Sequence, residues 1–409
     1  VQTAPDLPAD AGSPGEMRGL WVVRDSLISP ASVHQVVVTA QKYNLNALFV
    51  QVRGRGDAFY DSPYEPRAEA LAHQPRDFDP LRQIITEAHA AGLQVHAWMN
   101  TFLTWSGAHP PTSSQHLWNA HRDWFACDRN GHCSPIPNAH CEGAFLQPSN
   151  PAVQEHLFKV FTYVAENYDV DGIHFDYCRY AGSDYDFSPS TLARFRTFMR
   201  AQLSDEEAAR LDSHRATDRL AYVHAFGAQW ADWRRAQITG LVAHISATVK
   251  ATKPWMQVSA AVFADADDAF HYRGQDWQGW LKAGYLDAVA LMAYDRNTER
   301  ILEQTRRAVA LAGDRLVYTG IGAWRLSAQD VIKKITAVRQ TGAAGVNLFS
   351  YDGVHSRSHY LDTLARSVFA SRTAPRRMRW LPSRGGNVRR TPDAAPATDK
   401  STEQKDSTP

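Results

Sequence analysis

Eight short apolar runs, separated by amphipathic stretches, constrain the fold more than any other feature of the chain. They are MRGLWVV (17–23), ALFVQVR (47–53), LQVHAWMN (93–100), GIHFDY (172–177), QVSAAVF (257–263), DAVALMAY (287–294), LVYTGIGA (316–323) and GVNLFSY (345–351). Each is too short for a typical helix, and most are rich in Val, Ile, Phe or Tyr, as strands buried on both faces are. Helical stretches separate them, such as 80–91 after Asp79, 151–167 after Asn150 and 328–341 after Ser327, each begun by a capping residue. A longer helix is expected around 217–251, where Leu220, Val223, Phe226, Trp230, Trp233, Leu241, Ile245 and Val249 recur at helical spacing. Gly92, Gly284, Gly342 and Gly345 stand at helix-to-strand joints, where a positive φ costs glycine little. Eight strand–helix units in a chain of this length predict an α/β fold, a (β/α)8 TIM barrel with long βα loops. A doubly wound open sheet also alternates, but no G-x-G-x-x-G follows the first run.

The 409 residues therefore divide into a Pro/Ala/Gly-rich linker (1–16), one barrel (17–370) and an Arg-rich tail (371–409). The tail lacks the apolar content to fold alone and is expected to be disordered. It carries nine Lys/Arg against four Asp/Glu, so the overall charge of +1 hides an acidic barrel joined to a basic appendage. The tail has no nucleic-acid-reading motif, and its charge suits an anionic polymer or lipid as a possible partner. No apolar run approaches the roughly 18 residues that would span a membrane. The chain begins at Val1 rather than Met, as expected after removal of a signal peptide or after truncation. Cys127, Cys133 and Cys141 crowd one loop and Cys178 follows a strand. No C-x-x-C pair occurs, so two disulfides of an exported protein are favoured over a zinc site or free thiols.

A TIM barrel places its active site where the strands end. Polar residues gather at those ends. The second run leads to Arg53 and Asp57. The third ends in Trp98 and Asn100 and feeds a loop of about fifty residues, far above the usual length, that carries Glu142. The fourth ends in His174, Asp176, Tyr177 and Arg179, the sixth in Tyr294 and Asp295, the seventh in Trp324, and the eighth in Tyr351 and Asp352. A charge on a buried strand needs a partner or a function. Carboxylates, Arg, Asn and a surplus of Trp (12 residues) together suit sugar chemistry. Bland readings stand beside these: an ion pair of Asp176 with Arg179 or His174, a helix cap for Asp295, a solvated Glu142, and packing for Trp98.

The segments MRGLWVV, FVQVRGRGDAFYDSPYEP, LQVHAWMN and above all DVDGIHFDYCRYAG resemble the glycosyl-hydrolase-like family 10 domain over about residues 17–370. The resemblance implies a TIM barrel of the bacterial cell envelope, in the periplasm or exported, that cleaves glycan strands of peptidoglycan, including strands without stem peptides. DGIHFDYCRY and LDAVALMAYD are also similar to motifs of glycoside hydrolase family 18 chitinases, with Cys178 where their catalytic Glu stands. That departure removes the chitinase general acid. Glycoside hydrolysis by two carboxyls then requires another acid. The expected arrangement has Asp176 ionised beside Arg179 or Arg53, and Asp295, in preference to Glu142, as the acid. Arg53, Asn100 and Tyr294 would bind sugar hydroxyls or an acetamido group, and Trp98 or Trp324 would stack on pyranose rings. Asp57, His174, Tyr177, Tyr351 and Asp352 complete the expected binding set. No cofactor or metal is expected. The rivals are a non-catalytic glycan-binding barrel and a metal-dependent hydrolase using His96, His174 and Asp176.

Overall fold

The computed structural model describes residues 15–133, 137, 141–376 and 378–384. Every one of the eight apolar runs forms a strand of one closed parallel barrel. In chain order the strands are β1 (Met17–Val22), β2 (Ala47–Arg53) and β3 (Gln94–Asn100), then β4 (Leu103–Trp105) and β5 (Ala144–Phe145), which form a separate two-stranded ribbon. The remaining barrel strands are β6 (Gly172–Asp176), β7 (Gln257–Val262), β8 (Ala288–Leu291), β9 (Leu316–Gly322) and β10 (Gly345–Phe349). The barrel closes where Trp21 of β1 aligns with Phe349 of β10, and Asn100 of β3 lies level with Asp176 of β6.

Two apolar layers result from the period of two along each strand. One face of every strand packs on the surrounding helices. The other face fills the barrel interior with Trp21, Phe49, Trp98, Ala261, Ala290 and Tyr318. Space for Trp21 depends on Gly320, where an added Cβ would stand 3.0 Å from the indole and 2.2 Å from the Leu291 carbonyl. Pro follows each of the caps Asp79 and Asn150, and Asp79, Asn150 and Ser327 all accept first-turn N–H groups as expected. Gly92, Gly284, Gly342 and Gly345 all have positive φ.

Three expectations are corrected. The long helix around 217–251 is broken at Phe226 into Ala221–Ala225 and Gly227–Thr252. Its apolar residues serve two cores. Leu220, Val223 and Trp230 join Phe187, Phe195, Met199 and Leu211 in a small satellite core, while Leu241, Ile245 and Val249 face the barrel. One disulfide forms, Cys127–Cys133, whereas Cys178 is a buried thiol and Cys141 donates to the Gly143 carbonyl. The third concerns the tail: its described part, 371–376 and 378–384, lies against the base of the barrel. Asn46 donates to the Thr373 carbonyl at 3.0 Å, the Trp380 indole donates to Asp287 at 2.8 Å, and Arg384 pairs with Asp169 and Asp171. These contacts order the segment because Trp380 and Met378 supply the apolar surface that its Arg-rich composition obscured. Residues 385–409 lie outside the described residues. Among the described residues no helix is long and apolar enough to cross a membrane.

Candidate active site

Asp176 ends β6 at the mouth of the barrel and is buried. Its Oδ2 accepts the Trp98 indole N–H at 2.9 Å, and its Oδ1 accepts the Tyr177 backbone N–H at 2.7 Å. Burial pushes the carboxyl up to about 6, against the opposing pull of the Tyr177 amide, Arg179 and Trp98. Trp98 is itself held by Asn100, whose Oδ1 lies 3.1 Å from the indole nitrogen and whose amide donates to the Gly54 carbonyl at 2.7 Å. Tyr177 sits in the left-handed region at φ 47°, uncommon for a bulky residue, and this turns the chain away immediately beyond Asp176.

A second carboxylate reaches this neighbourhood from the long loop after β3. The β4–β5 ribbon folds that loop back, and Glu142, just before β5, pairs with Arg179 at 2.9 Å. The Arg179 guanidinium is buried, while the Glu142 side chain is 54% exposed. Glu142 contributes to the upward shift of both Asp176 and Tyr177 through charge repulsion. The Cys127–Cys133 bridge lies in the same loop, where the Cys127 N–H donates to buried Asp186.

Tyr294 lines the mouth beside Asp176. Burial first, then the charge of Asp176, drive its phenol well above the ordinary value, so it stays protonated as a hydrogen-bond donor. Its ring packs on Phe349 (5.4 Å) and edge-on to Trp324 (5.2 Å) and Trp21 (6.3 Å). Trp324 is 40% exposed, and Phe349 bridges it to Trp21 and Trp98. Asp176 thus opens onto an aromatic floor with one indole presented to solvent.

Several expected site residues are engaged elsewhere. Arg53 is fully buried in an ion pair with Glu65, which also accepts from His156, and it donates to the carbonyls of Asn100 and Thr101. Its partners hold Glu65 down to about 2 although burial opposes them. Arg53 therefore ties together the loops under the mouth, its guanidinium committed to Glu65 and to backbone carbonyls. The sequence signal for this was Glu65 itself, twelve residues on in the same quoted segment. His174 lies inside the barrel, accepting from the Trp21 indole at Nε2 and bonded to Ser259 at Nδ1. Burial holds it neutral, and with both nitrogens occupied it offers no lone pair to a metal or a sugar. His96 stacks on Phe49 deeper in the interior and is pushed down to about 4 by burial. The His96–His174–Asp176 set thus does not converge.

Asp295 turns outward. It accepts the Asn297 N–H at 2.8 Å and faces Arg300 at 3.6 Å, while Asn297 caps the helix Thr298–Ala312. Tyr294, not Asp295, points at Asp176, because consecutive residues leaving a strand face opposite sides. Asp352 accepts from Val23 and Ser26 and clamps the turn after β1, and Tyr351 stacks on His355 behind the strands. Asn100 and Trp98 are buried supports of Asp176. Asp57 is buried beneath Arg55, whose N–H it accepts at 3.0 Å, and burial raises its carboxyl. The geometry therefore brings together Asp176, Tyr177, Arg179, Glu142 and Tyr294, with Trp324 at the rim. Phe349 and Trp21 were missed as parts of the floor, since apolar residues in a buried strand carry no sign of which one surfaces at the mouth.

A protein-family model described as Glycosyl hydrolase-like 10 matches residues 16–333. Among similar proteins, the Glycosyl hydrolase YngK of Bacillus subtilis is 27% identical over 318 residues, covering 70% of this chain and 55% of its own. The Glycosyl hydrolase DigH of Escherichia coli K12 is 25% identical over 324 residues, covering 68% of this chain and 65% of its own. The chain thus matches somewhat over half the length of these two relatives. In fold it is similar to the PgaB (BpsB) glycoside hydrolase domain of Bordetella bronchiseptica, with a TM-score of 0.62 at 19% identity over 86% of this chain and 98% of that one.

Proposed function

The chain belongs to the glycosyl hydrolase-like 10 family, and we propose that it hydrolyses glycosidic bonds in glycan strands of the bacterial cell envelope, peptidoglycan first among them. The observation that carries this reading is the state of Asp176. A buried carboxyl raised to about 6, hydrogen-bonded by neutral donors, at the C-terminal end of a barrel strand, is suited to deliver a proton to a leaving oxygen near neutral pH. This inverts the role expected from sequence: Asp176 acts as the general acid. Glu142, oriented by Arg179 across the mouth, takes the part of base or nucleophile. Tyr294 and Tyr177 supply phenol donors to sugar oxygens, and Trp324 offers an indole face to a pyranose ring.

In the reaction, the proton on Asp176 passes to the glycosidic oxygen as the bond to the anomeric carbon breaks. The resulting positive charge on the sugar is met by the Glu142 carboxylate. Water then bonds to the anomeric carbon, and its proton goes to Glu142 in an inverting course, from which solvent exchange restores Asp176, or directly to Asp176 in a retaining one. The Trp98 and Tyr177 N–H groups then hold the ionised Asp176 until it is reprotonated. The Cys127–Cys133 disulfide supports placement in an oxidising compartment outside the cytoplasm. The test is release of oligosaccharides from purified peptidoglycan strands, followed by mass spectrometry. Asp176→Asn and Glu142→Gln are each expected to slow release by at least about 10²-fold while the protein stays folded at the assay temperature. Undiminished release by Asp176→Asn overturns the catalytic assignment. Strand binding without release by the unaltered protein points to a glycan-binding barrel.

A further inference from the structure

Beside Asp176, on the β1–β2 side of the mouth, two arginines stand close together without an acidic partner of their own. Arg24 follows β1 and Arg55 follows β2. Burial and then the charge of Arg55 depress Arg24. Their approach depends on Gly54, where an added Cβ would stand 2.6 Å from Arg24 Cδ. Among the described residues neither guanidinium makes an ion pair within 4 Å, and the buried Nε of each has no hydrogen-bond partner. Arg24 gives one Nη1 to Gln51 at 3.0 Å, and Arg55 lies over the Trp105 ring at 4.7 Å. Two carboxylates, Asp25 and Asp57, act on Arg24 by charge without pairing with it; Asp57 accepts the backbone N–H of Arg55 instead of its guanidinium, and burial works against its ionisation. His116, adjoining Asp57, is pushed down by burial and bonds the Arg55 carbonyl at 2.7 Å, so it neither adds nor removes charge. Among the described residues neither carboxylate therefore occupies a guanidinium fork.

The pair also belongs to the cleft. Arg24 acts electrostatically on Tyr177, which adjoins Asp176. Through Gln51, Asn100 and Trp98 a continuous line of side chains runs from Arg24 to the Asp176 carboxyl. Holding two like charges together beside a site is costly unless an anion completes them. Fork-shaped guanidinium groups with unused donors match a carboxylate. We propose that Arg24 and Arg55 form an anion subsite that reads a carboxylate carried on the glycan next to the scissile bond. The enzyme is then specific for acidic glycans, whether the carboxylate is a lactyl ether as in muramic acid or part of a uronic acid. This rests on the glycosidase reading of the same mouth and adds the chemistry of its substrate.

The experiment measures binding, so it stands apart from turnover. Asp176→Asn protein is titrated by calorimetry with four disaccharide probes at low salt: N-acetylglucosaminyl-N-acetylmuramic acid and its carboxyl methyl ester, and an N-acetylglucosaminyl-glucuronic acid and its own ester. At least one free acid is expected to bind about tenfold tighter than its ester. That gap is expected to shrink below about twofold when Arg24→Gln or Arg55→Gln is added, and to be partly kept by Arg55→Lys. Which acid shows the gap identifies the source of the carboxylate. Equal affinity for acid and ester in both pairs, or a gap that survives the Arg24→Gln/Arg55→Gln double change, overturns the proposal. Discrimination without any strand cleavage by the unaltered protein removes the hydrolase reading and leaves the subsite standing. Cleavage without discrimination does the reverse.

Discussion

At the base of the barrel Asp287 accepts from the Trp380 indole and the Val258 amide and faces Lys250 and Arg315, whereas at the mouth Asp176 has, among the described residues, only an indole and an amide as hydrogen-bond donors. Asp171, also at the base, is likewise surrounded by His89, the Val95 N–H and Arg384. Burial alone would raise the Asp171 carboxyl, yet these partners outweigh it and hold it below the ordinary value. Asp176 is raised to about 6 by burial, which the Tyr177 amide and Arg179, itself paired with Glu142, offset only in part. Both ends bury acids. The base compensates them with charge and the mouth leaves its acid able to hold a proton, which is the difference between a fastening and a reactive group.

The largest effect that can break this comparison is loss of a base fastening. Asp287→Ala leaves Lys250 and Arg315 without their carboxylate, and the expected cost is about 3 kcal/mol of stability, read by urea unfolding. A loss under about 1 kcal/mol would mean that the base cations are solvated and the contrast is false.

The mouth is expected to behave oppositely with pH. The folded-state value of Asp176, about 6, exceeds its ordinary 3.8, so ionisation is penalised only in the fold. That penalty is absent below about pH 4 and complete above about pH 6. The stability of Asp176→Asn relative to the unaltered protein should therefore climb with pH between 4 and 7, by up to about 3 kcal/mol. The slope is the readout, because Asn also replaces an accepting oxygen with a donor. Asp171 carries the opposite sign. Its lowered value contributes stability above the ordinary 3.8 that disappears as pH falls through the folded value, so Asp171→Asn should lose ground as pH rises to about 4 and stay level between 4 and 7. Parallel slopes for the two variants would remove the distinction between the ends.

Ending the chain at 370 removes Met378, Trp380 and Arg384 from the base. Roughly 2 kcal/mol of stability should go with them while turnover on soluble strands at 25 °C is retained. A loss of turnover in proportion to stability would show that the base segment acts on the mouth. The smallest effect belongs to the rim: Trp324→Ala should raise KM roughly three- to tenfold with little change in kcat. An unchanged KM would take the indole out of the binding surface.

Much of this architecture was legible because a strand buried on both faces must be apolar almost throughout, and eight such runs between capped helices leave few folds. Asp176 was legible for the same reason: a carboxylate ending an apolar run stands out. The partner of Arg53 was not, since Glu65 lies in a loop whose return path depends on tertiary contacts. Nor was the choice between Glu142 and Asp295. Asp295 follows an apolar run and looked the better fixed, but β8 ends at Leu291 and the Asp295 side chain faces the helix that follows, while Glu142 is brought in by the β4–β5 ribbon. The break at Phe226 escaped detection because one helical period can serve two cores in succession.

By itself the sequence determined the closed parallel barrel, the capped helices and the end of β6 at Asp176, because these follow from burial periodicity and local backbone chemistry that neighbours along the chain carry. Only the tertiary structure decided which charges meet. Pairing Arg179 with Glu142, Arg53 with Glu65 and the base acids with Lys250, Arg315 and Arg384 requires long loops and chain ends to come together. Electrostatic energy depends on that spatial separation and on burial, neither of which is a property of distance along the chain.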